Sequence, residues 1–299
     1  MPAKALLVGI NDYAPIGPGG PDLRGCVPDI RDAASTLTAL GIVSPSPRNL
    51  RILTDARATR KNIMDGLTWL LTPTTGVDRL IFYYSGHGSQ LPNIGSDEEI
   101  DGLDETICPH DYATAGMIRD DDFQKVFKTV KPGVVLEAIL DSCHSGTGTR
   151  DIAARATLPE EQQITVRYVE PPLDHSFFID TNPSVPIQAI LKTGKRTAAG
   201  TREVVVVPDM KWVMWAACRD NQTAAEASID GTYRGVFSYS YFKILRRTNG
   251  KVSRRKLDSL VSSAVRGMGY SQVPQLEGNV VDLGEEVFKA EPLTMKARA

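Results

Sequence analysis

Charge of one sign is what this sequence most plainly lacks. Across 299 residues, 34 Lys and Arg stand against 36 Asp and Glu, a net charge of −2. That balance leaves no electrostatic footprint for a nucleic acid. Long hydrophobic runs are missing too, since no stretch reaches the ~18 apolar residues of a membrane span. The opening, Met1-Pro-Ala-Lys-Ala-Leu-Leu-Val-Gly-Ile10, has a short apolar stretch with no small-residue cleavage site behind it. It reads as a core strand, and the protein as cytoplasmic. Cysteine is scarce: Cys26, Cys108, Cys143 and Cys218 lie at least 35 residues apart and form no CxxC pair. That argues against a zinc knuckle and a disulfide framework, and each thiol has to be judged singly.

What is present is ordinary for a globular chain, 41% hydrophobic and 23% charged, and the length suits one large domain or two small ones. Continuous apolar runs at 5–10, 50–53, 80–84 and 134–140 suit strands buried on both faces of a mainly parallel sheet. Helix-period stretches lie between them. Ile30, Ala33, Ala34, Leu37 and Leu40 share one face, with Gly41 in the place of a C′ glycine. Thr59 can cap a helix through Leu71, and residues 121–130 supply a third. Strand and helix in alternation predict an open α/β sheet with helices on both faces. Residues 147–203 are rich in Pro, Glu, Gln, Gly, Lys and Arg, and read as a linker that is functional, cleavable or partly ordered. Order resumes with strands at 204–207 and 212–217 and helices at 236–245 and 253–265.

Ligands of open α/β sheets bind beyond the carboxyl ends of the parallel strands. Two segments end there with reactive side chains: Tyr84-Ser-Gly-His-Gly88 and Asp141-Ser-Cys-His-Ser-Gly146. Period-two alternation projects Ser85 and His87 one way and Asp141 and Cys143 one way. An imidazole beside a thiol can take its proton, and the thiolate is the nucleophile. The N–H groups of Gly88 and Cys143 are placed to form an oxyanion hole worth roughly 3 kcal/mol per donor. His144 is the competing imidazole, but as the neighbour of Cys143 it is expected to point away; His110 and His175 have no such setting. A nucleotide- or flavin-binding domain is disfavoured, because neither GxxxxGK[ST] nor a GxGxxG after a strand occurs.

These two blocks, with His87 and Cys143 separated by 56 positions, resemble the histidine and cysteine motifs of metacaspases, caspase-like cysteine peptidases. Further blocks carry the same resemblance: Ala5-Leu-Leu-Val-Gly-Ile-Asn-Asp-Tyr13, Leu23-Arg-Gly-Cys-Val-Pro-Asp29, Asp97-Glu-Glu-Ile-Asp-Gly-Leu-Asp-Glu105, Arg119-Asp-Asp-Asp122 and Ala217-Cys-Arg-Asp-Asn-Gln-Thr223. The resemblance implies a caspase-hemoglobinase fold, a mostly parallel six-stranded sheet flanked by helices. Residues 1–146 would be the large-subunit-like portion, 147–203 the linker and 204–299 the small-subunit-like portion of one domain. It implies a monomeric endopeptidase, without the prodomain of some relatives, whose polypeptide substrate carries Arg or Lys at the cleaved bond. Asp29, Ser85 and Asp141 would line the pocket for that basic side chain, a carboxylate there making a charge-assisted bond. Asp29 can instead serve as a favourable charge at the start of the following helix. Many metacaspases require calcium, and the resemblance points to Asp104, Asp120, Asp121 and, less well spaced, Asp151; the other reading is a solvated acidic loop with Asp120 capping a helix. Self-cleavage is expected in the linker, at one of Arg150, Arg155, Arg167, Lys192, Lys195, Arg196 or Arg202, with Lys195-Arg196 the most exposed-looking pair. A catalytically silent module binding basic peptides is the alternative from another class.

Overall fold

The strand Lys4–Gly9 (β1) is buried at every position. Ala5 and Leu7 feed one core and Leu6 and Val8 another, as a strand with helices on both faces requires. The protein is represented by a computed structural model that describes residues 3–14, 22–92, 103–143, 164–170, 204–208, 210–219 and 222–288. Among these, the further strands are β2 (Leu50–Thr54), β3 (Arg79–Ser85), β4 (Gly88–Pro92), β5 (Leu103–Ile107), β6 (Ile118–Arg119) and β7 (Val135–Asp141). After them come β8 (Ile164–Val166), β9 (Val204–Val206), β10 (Trp212–Ala216), β11 (Ala225–Ile229), β12 (Thr232–Gly235) and β13 (Gln275–Gly278).

The main sheet runs β2-β1-β3-β7-β10-β13-β9. Its first five strands are parallel, β13 is antiparallel to β10, and β9 is parallel to β13. The sheet therefore has seven strands where six were expected. The extra one is the valine run β9, which pairs Val204 with Leu276 on the outer edge of β13; β-branched residues suit such a half-buried edge. Two small antiparallel sheets, β12-β11-β8 and β4-β5-β6, stand beside it. The sequence pattern gave no warning of them, because their strands are short and mostly polar. Nor did it anticipate that residues 164–166, inside the stretch read as linker, form a strand.

The helices are α1 (Cys26–Ala39), α2 (Arg60–Leu71), α3 (Tyr112–Ala115), α4 (Asp120–Phe127), α5 (Val236–Arg247), α6 (Arg254–Gly267) and α7 (Val280–Gly284). α1 starts four residues before the apolar stripe because Asn11 Oδ1 accepts from the N–H groups of Cys26 (2.8 Å) and Val27 (3.1 Å). A side chain distant in sequence thus satisfies donors that a local cap would serve. It ends before Gly41, at φ +67°. Thr59 caps α2 and Ser253 caps α6 through their side-chain oxygens. Asp120 does not cap α4 but is its first residue, behind Arg119. α1, α5 and α6 cover one face of the sheet around Trp215, Tyr241 and Phe242; α2 and α4 cover the other around Phe82, Phe123 and Phe127. No helix among the described residues is long and apolar enough to cross a membrane.

Candidate active site

β3 and β7 are parallel neighbours whose last residues pair, Ser85 with Asp141. Their chains therefore leave the sheet side by side, and His87 and Cys143 stand two residues past each end. Gly86 N–H donates to Asp141 O at 3.2 Å. At Gly88 a Cβ would run into the carbonyl oxygen of Cys143, so only glycine lets these two turns touch. The turn bearing His87 is held by two tyrosines. His87 N–H donates to Tyr13 Oη at 2.7 Å, and Tyr84 Oη–H donates to His87 O at 2.7 Å. The Tyr13 ring lies 4.9 Å from the imidazole, centroid to centroid. Cys143 Sγ lies 2.6 Å from the N and 3.1 Å from the O of Ala224, just ahead of β11. His110 is engaged elsewhere, with Nδ1 2.6 Å from Asp12 O; His144 and His175 lie outside the described residues.

Over these strand ends lies residues 164–170. The guanidinium of Arg167 is fully buried: Nη2 meets Asp29 Oδ2 at 2.8 Å and Glu226 Oε2 at 3.5 Å, and Nη1 meets Asp141 Oδ2 at 3.0 Å and Ser85 Oγ at 2.8 Å. Gly235 makes the room, because a Cβ there would overlap Asp141 Oδ2 and sit 2.7 and 2.8 Å from the two Nη atoms. The carbonyl oxygen of Arg167 accepts from two amides, Gly88 N at 2.9 Å and Cys143 N at 3.2 Å. Its own N–H donates to Ala224 O at 3.2 Å, the oxygen that Cys143 Sγ also touches. The sulfur is thus beside the Arg167 peptide unit.

Three buried carboxylates around one guanidinium would be ruinous without further donors. Two helix N-termini supply them. Gly235 N–H, at the start of α5, donates to Asp29 at 3.0 Å, and Ser238 N–H in its first turn donates to Asp141 at 3.1 Å. Arg24 and Gly25 N–H, ahead of α1, donate to Glu226 at 2.8 and 3.0 Å. With roughly half a positive charge at each helix start plus the guanidinium, about one negative charge is left over. Asp29 responds to that excess: burial, opposed by Arg167 and aided by Asp141, pushes its carboxyl up to about 7. Asp29 lies both in the first turn of α1 and against the guanidinium.

A family model described as "Metacaspase, peptidase C14 domain" matches residues 3–150. Metacaspase-1 of Ajellomyces capsulatus is 32% identical over 293 residues, an alignment that spans 91% of this chain and 78% of that protein. The chain belongs to the metacaspase family. Metacaspases are cysteine peptidases, and the fold agrees. A Geobacter sulfurreducens crystal structure superposes with a TM-score of 0.63 at 24% identity, covering 98% of this chain and all of that one. Caspase-1 from Spodoptera frugiperda superposes with a TM-score of 0.53 at 11% identity, covering 92% of this chain and 85% of that one. This metacaspase therefore has the caspase-like α/β fold.

Of the four acidic residues singled out for calcium, Asp104, Asp120 and Asp121 lie among the described residues. Asp104 is buried and paired with the Arg119 guanidinium, and Asp121 stands 3.7 Å from Lys125 Nζ on α4. Among the described residues no three His, Cys, Asp or Glu side chains come together as a metal site. Asp120 is the first residue of α4, and Asp151 lies outside the described residues.

Sequence reasoning missed Glu226, Gly235 and Cys218. Glu226 is a charge between two alanines in a short strand, and such a charge flanked by small apolar residues is a signal of burial with a partner. Cys218 hydrogen-bonds Cys143, which together with burial pushes its own thiol pKa well up. Cys26 and Cys108 are buried and likewise raised, chiefly by burial, so both are inert thiols beside the cleft.

Proposed function

We propose that this metacaspase is an endopeptidase that hydrolyses the bond after Arg or Lys, with Cys143 as nucleophile and His87 as proton carrier. The docked Arg167 carries the reading. A basic side chain lies in a pocket of Asp29, Asp141, Glu226 and Ser85 while the carbonyl behind it points at two N–H donors beside the thiol. In hydrolysis, His87 takes the thiol proton, Sγ attacks the carbonyl carbon, and the oxygen gains charge under the Gly88 and Cys143 amides. His87 then gives the proton to the departing amine, and water releases the acid from the thioester. The pocket is too acidic to accept an Asp side chain.

The test is a panel of fluorogenic peptides differing at the residue before the cleaved bond. Turnover of Arg and Lys peptides with none of the Asp peptide is expected; equal rates, or a preference for Asp, would remove the proposal. Calcium activation rests on the resemblance alone and no step above passes through the ion. Turnover that is the same in a chelator as in added calcium would delete it.

Asp29 adds a pH dependence. With a guanidinium in place its carboxyl titrates near 7; in an empty pocket the lowering effect of the cation is absent and the value is higher. A basic ligand therefore displaces a proton over the interval from about 7 upward, and its affinity rises with pH there, by at most about tenfold per pH unit. The inhibition constant of agmatine against an Arg peptide should fall accordingly. Asp29→Asn should flatten the slope, and an unchanged slope in that variant would assign the titration elsewhere.

A further inference from the structure

The segment on the active site is held as a peptidase holds a substrate, and it belongs to the chain itself. β8 adds antiparallel to β11, pairing Val166 with Ala225, Thr165 with Glu226 and Ile164 with Ala227. Main-chain addition to a strand edge is a general way of gripping an extended peptide. On the far side of Arg167 the chain stays extended: Tyr168 bridges to Gly88, and Val169 N–H donates to Gly88 O at 3.0 Å. Thus Gly88 grips both sides of one peptide bond, through its N–H to Arg167 O and its carbonyl to Val169. Arg167 is fully buried, whereas Ile164, Thr165 and Val166 are only partly covered.

From this docking we propose that the enzyme cuts its own chain between Arg167 and Tyr168, and that until the cut residues 164–169 occupy the cleft in place of any other substrate. The inference rests on the proposed function and specifies it: of the basic residues in the linker, Arg167 is the one presented. In the step, Cys143 Sγ bonds to the Arg167 carbonyl carbon, and the bond to Tyr168 N breaks. That amine leaves with the proton carried by His87. Water then splits the thioester, returning the thiol and leaving a carboxylate on Arg167. The partial cover of the three preceding residues means that selection resides in the basic side chain, with the strand supplying sequence-tolerant main-chain bonds.

The experiment follows purified full-length protein, with and without added calcium, by intact mass and N-terminal sequencing of fragments. Wild type and Arg167→Lys are expected to yield a fragment beginning at Tyr168; Arg167→Gln and Cys143→Ser are expected to yield none. The rate constant should not change on dilution, because the bond is presented within one molecule, and a rate constant proportional to concentration would overturn that. A first cut elsewhere, after Arg155 or Arg196, by a protein that hydrolyses Arg peptides would overturn the inference and leave the function standing. A chain that cuts neither itself nor any basic peptide takes down both. Since Arg167→Gln strips buried carboxylates of their cation and puts the fold at risk, a peptide spanning residues 163–170 is also offered in trans to processed wild-type enzyme. Its cleavage between Arg and Tyr supports the assignment; its survival while other Arg peptides are cut overturns it.

Discussion

Cys143→Ser is expected to abolish hydrolysis of an Arg-terminated peptide, with a loss on the order of 10⁴-fold or more in kcat, while the protein stays folded. The loss follows from chemistry: a serine hydroxyl in the same place does not ionise near neutral pH as a thiol does, and the nucleophile is the ionised form. Retention of the fold follows from the neighbours of the sulfur. Cys143 Sγ accepts from Ala224 N–H and reaches Ala224 O, and a hydroxyl can take both roles. Alanine cannot, and an orphaned buried N–H costs about 1–3 kcal/mol, so Cys143→Ala should be inactive and also less stable. Kinetics and thermal melting of both variants together distinguish nucleophile from scaffold. If Cys143→Ser keeps more than a few per cent of the activity, another group attacks the carbonyl. If both variants melt early, the loss of activity says nothing about nucleophilicity.

The parts of this fold that were legible in the sequence are those where one local pattern decides. β1, β3 and β7 are continuous apolar runs because both of their faces are dry, and the turns beyond β3 and β7 carry His87 and Cys143 in compact motifs. Thr59 and Gly41 mark helix ends by their own chemistry. Legibility fails where a partner distant in sequence decides. The start of α1 depends on Asn11, and β11 depends on accepting β8 along its edge. The pocket shows the same division. Asp29, Ser85 and Asp141 adjoin recognisable motifs, but Glu226 enters from a strand 85 positions beyond Asp141, and Gly235 matters only because a guanidinium passes it. Arg167 was one of seven linker cations, of which Lys195-Arg196 looked the most exposed pair. Nothing local distinguishes it; only the three carboxylates do.

The largest expected loss of stability lies away from the cleft, in an ion pair that joins the carboxyl half of the sheet to its helices. Glu137 on β7 and Arg254 at the start of α6 are 1% and 0% exposed. Glu137 Oε1 accepts from Arg254 Nε (3.0 Å), Arg254 Nη2 (2.7 Å) and Phe288 N–H (2.8 Å), and Oε2 accepts from Trp215 Nε1 (3.1 Å) on β10. Arg254 Nη1 also donates to Asp282 O at 2.7 Å on α7. Removing Arg254 leaves the Glu137 carboxylate stranded among Trp215, Tyr241 and Phe288, and removing Glu137 leaves Arg254 only the more distant Glu285 carboxylate at 3.9 Å; each costs about 3–5 kcal/mol. Arg254→Met and Glu137→Met should each show that loss in urea unfolding, carried out in the Cys143→Ser background so that no chain is cut. The double variant should lose much less than the sum, because two methionines bury no charge and refill much of the same volume. Two losses that simply add would mean that each residue acts through its separate contacts, Arg254 through Asp282 and Glu137 through Trp215, and that the pair itself contributes nothing. Glu137 lies four residues before Asp141 on the same strand, so partial unfolding here should also reach the pocket.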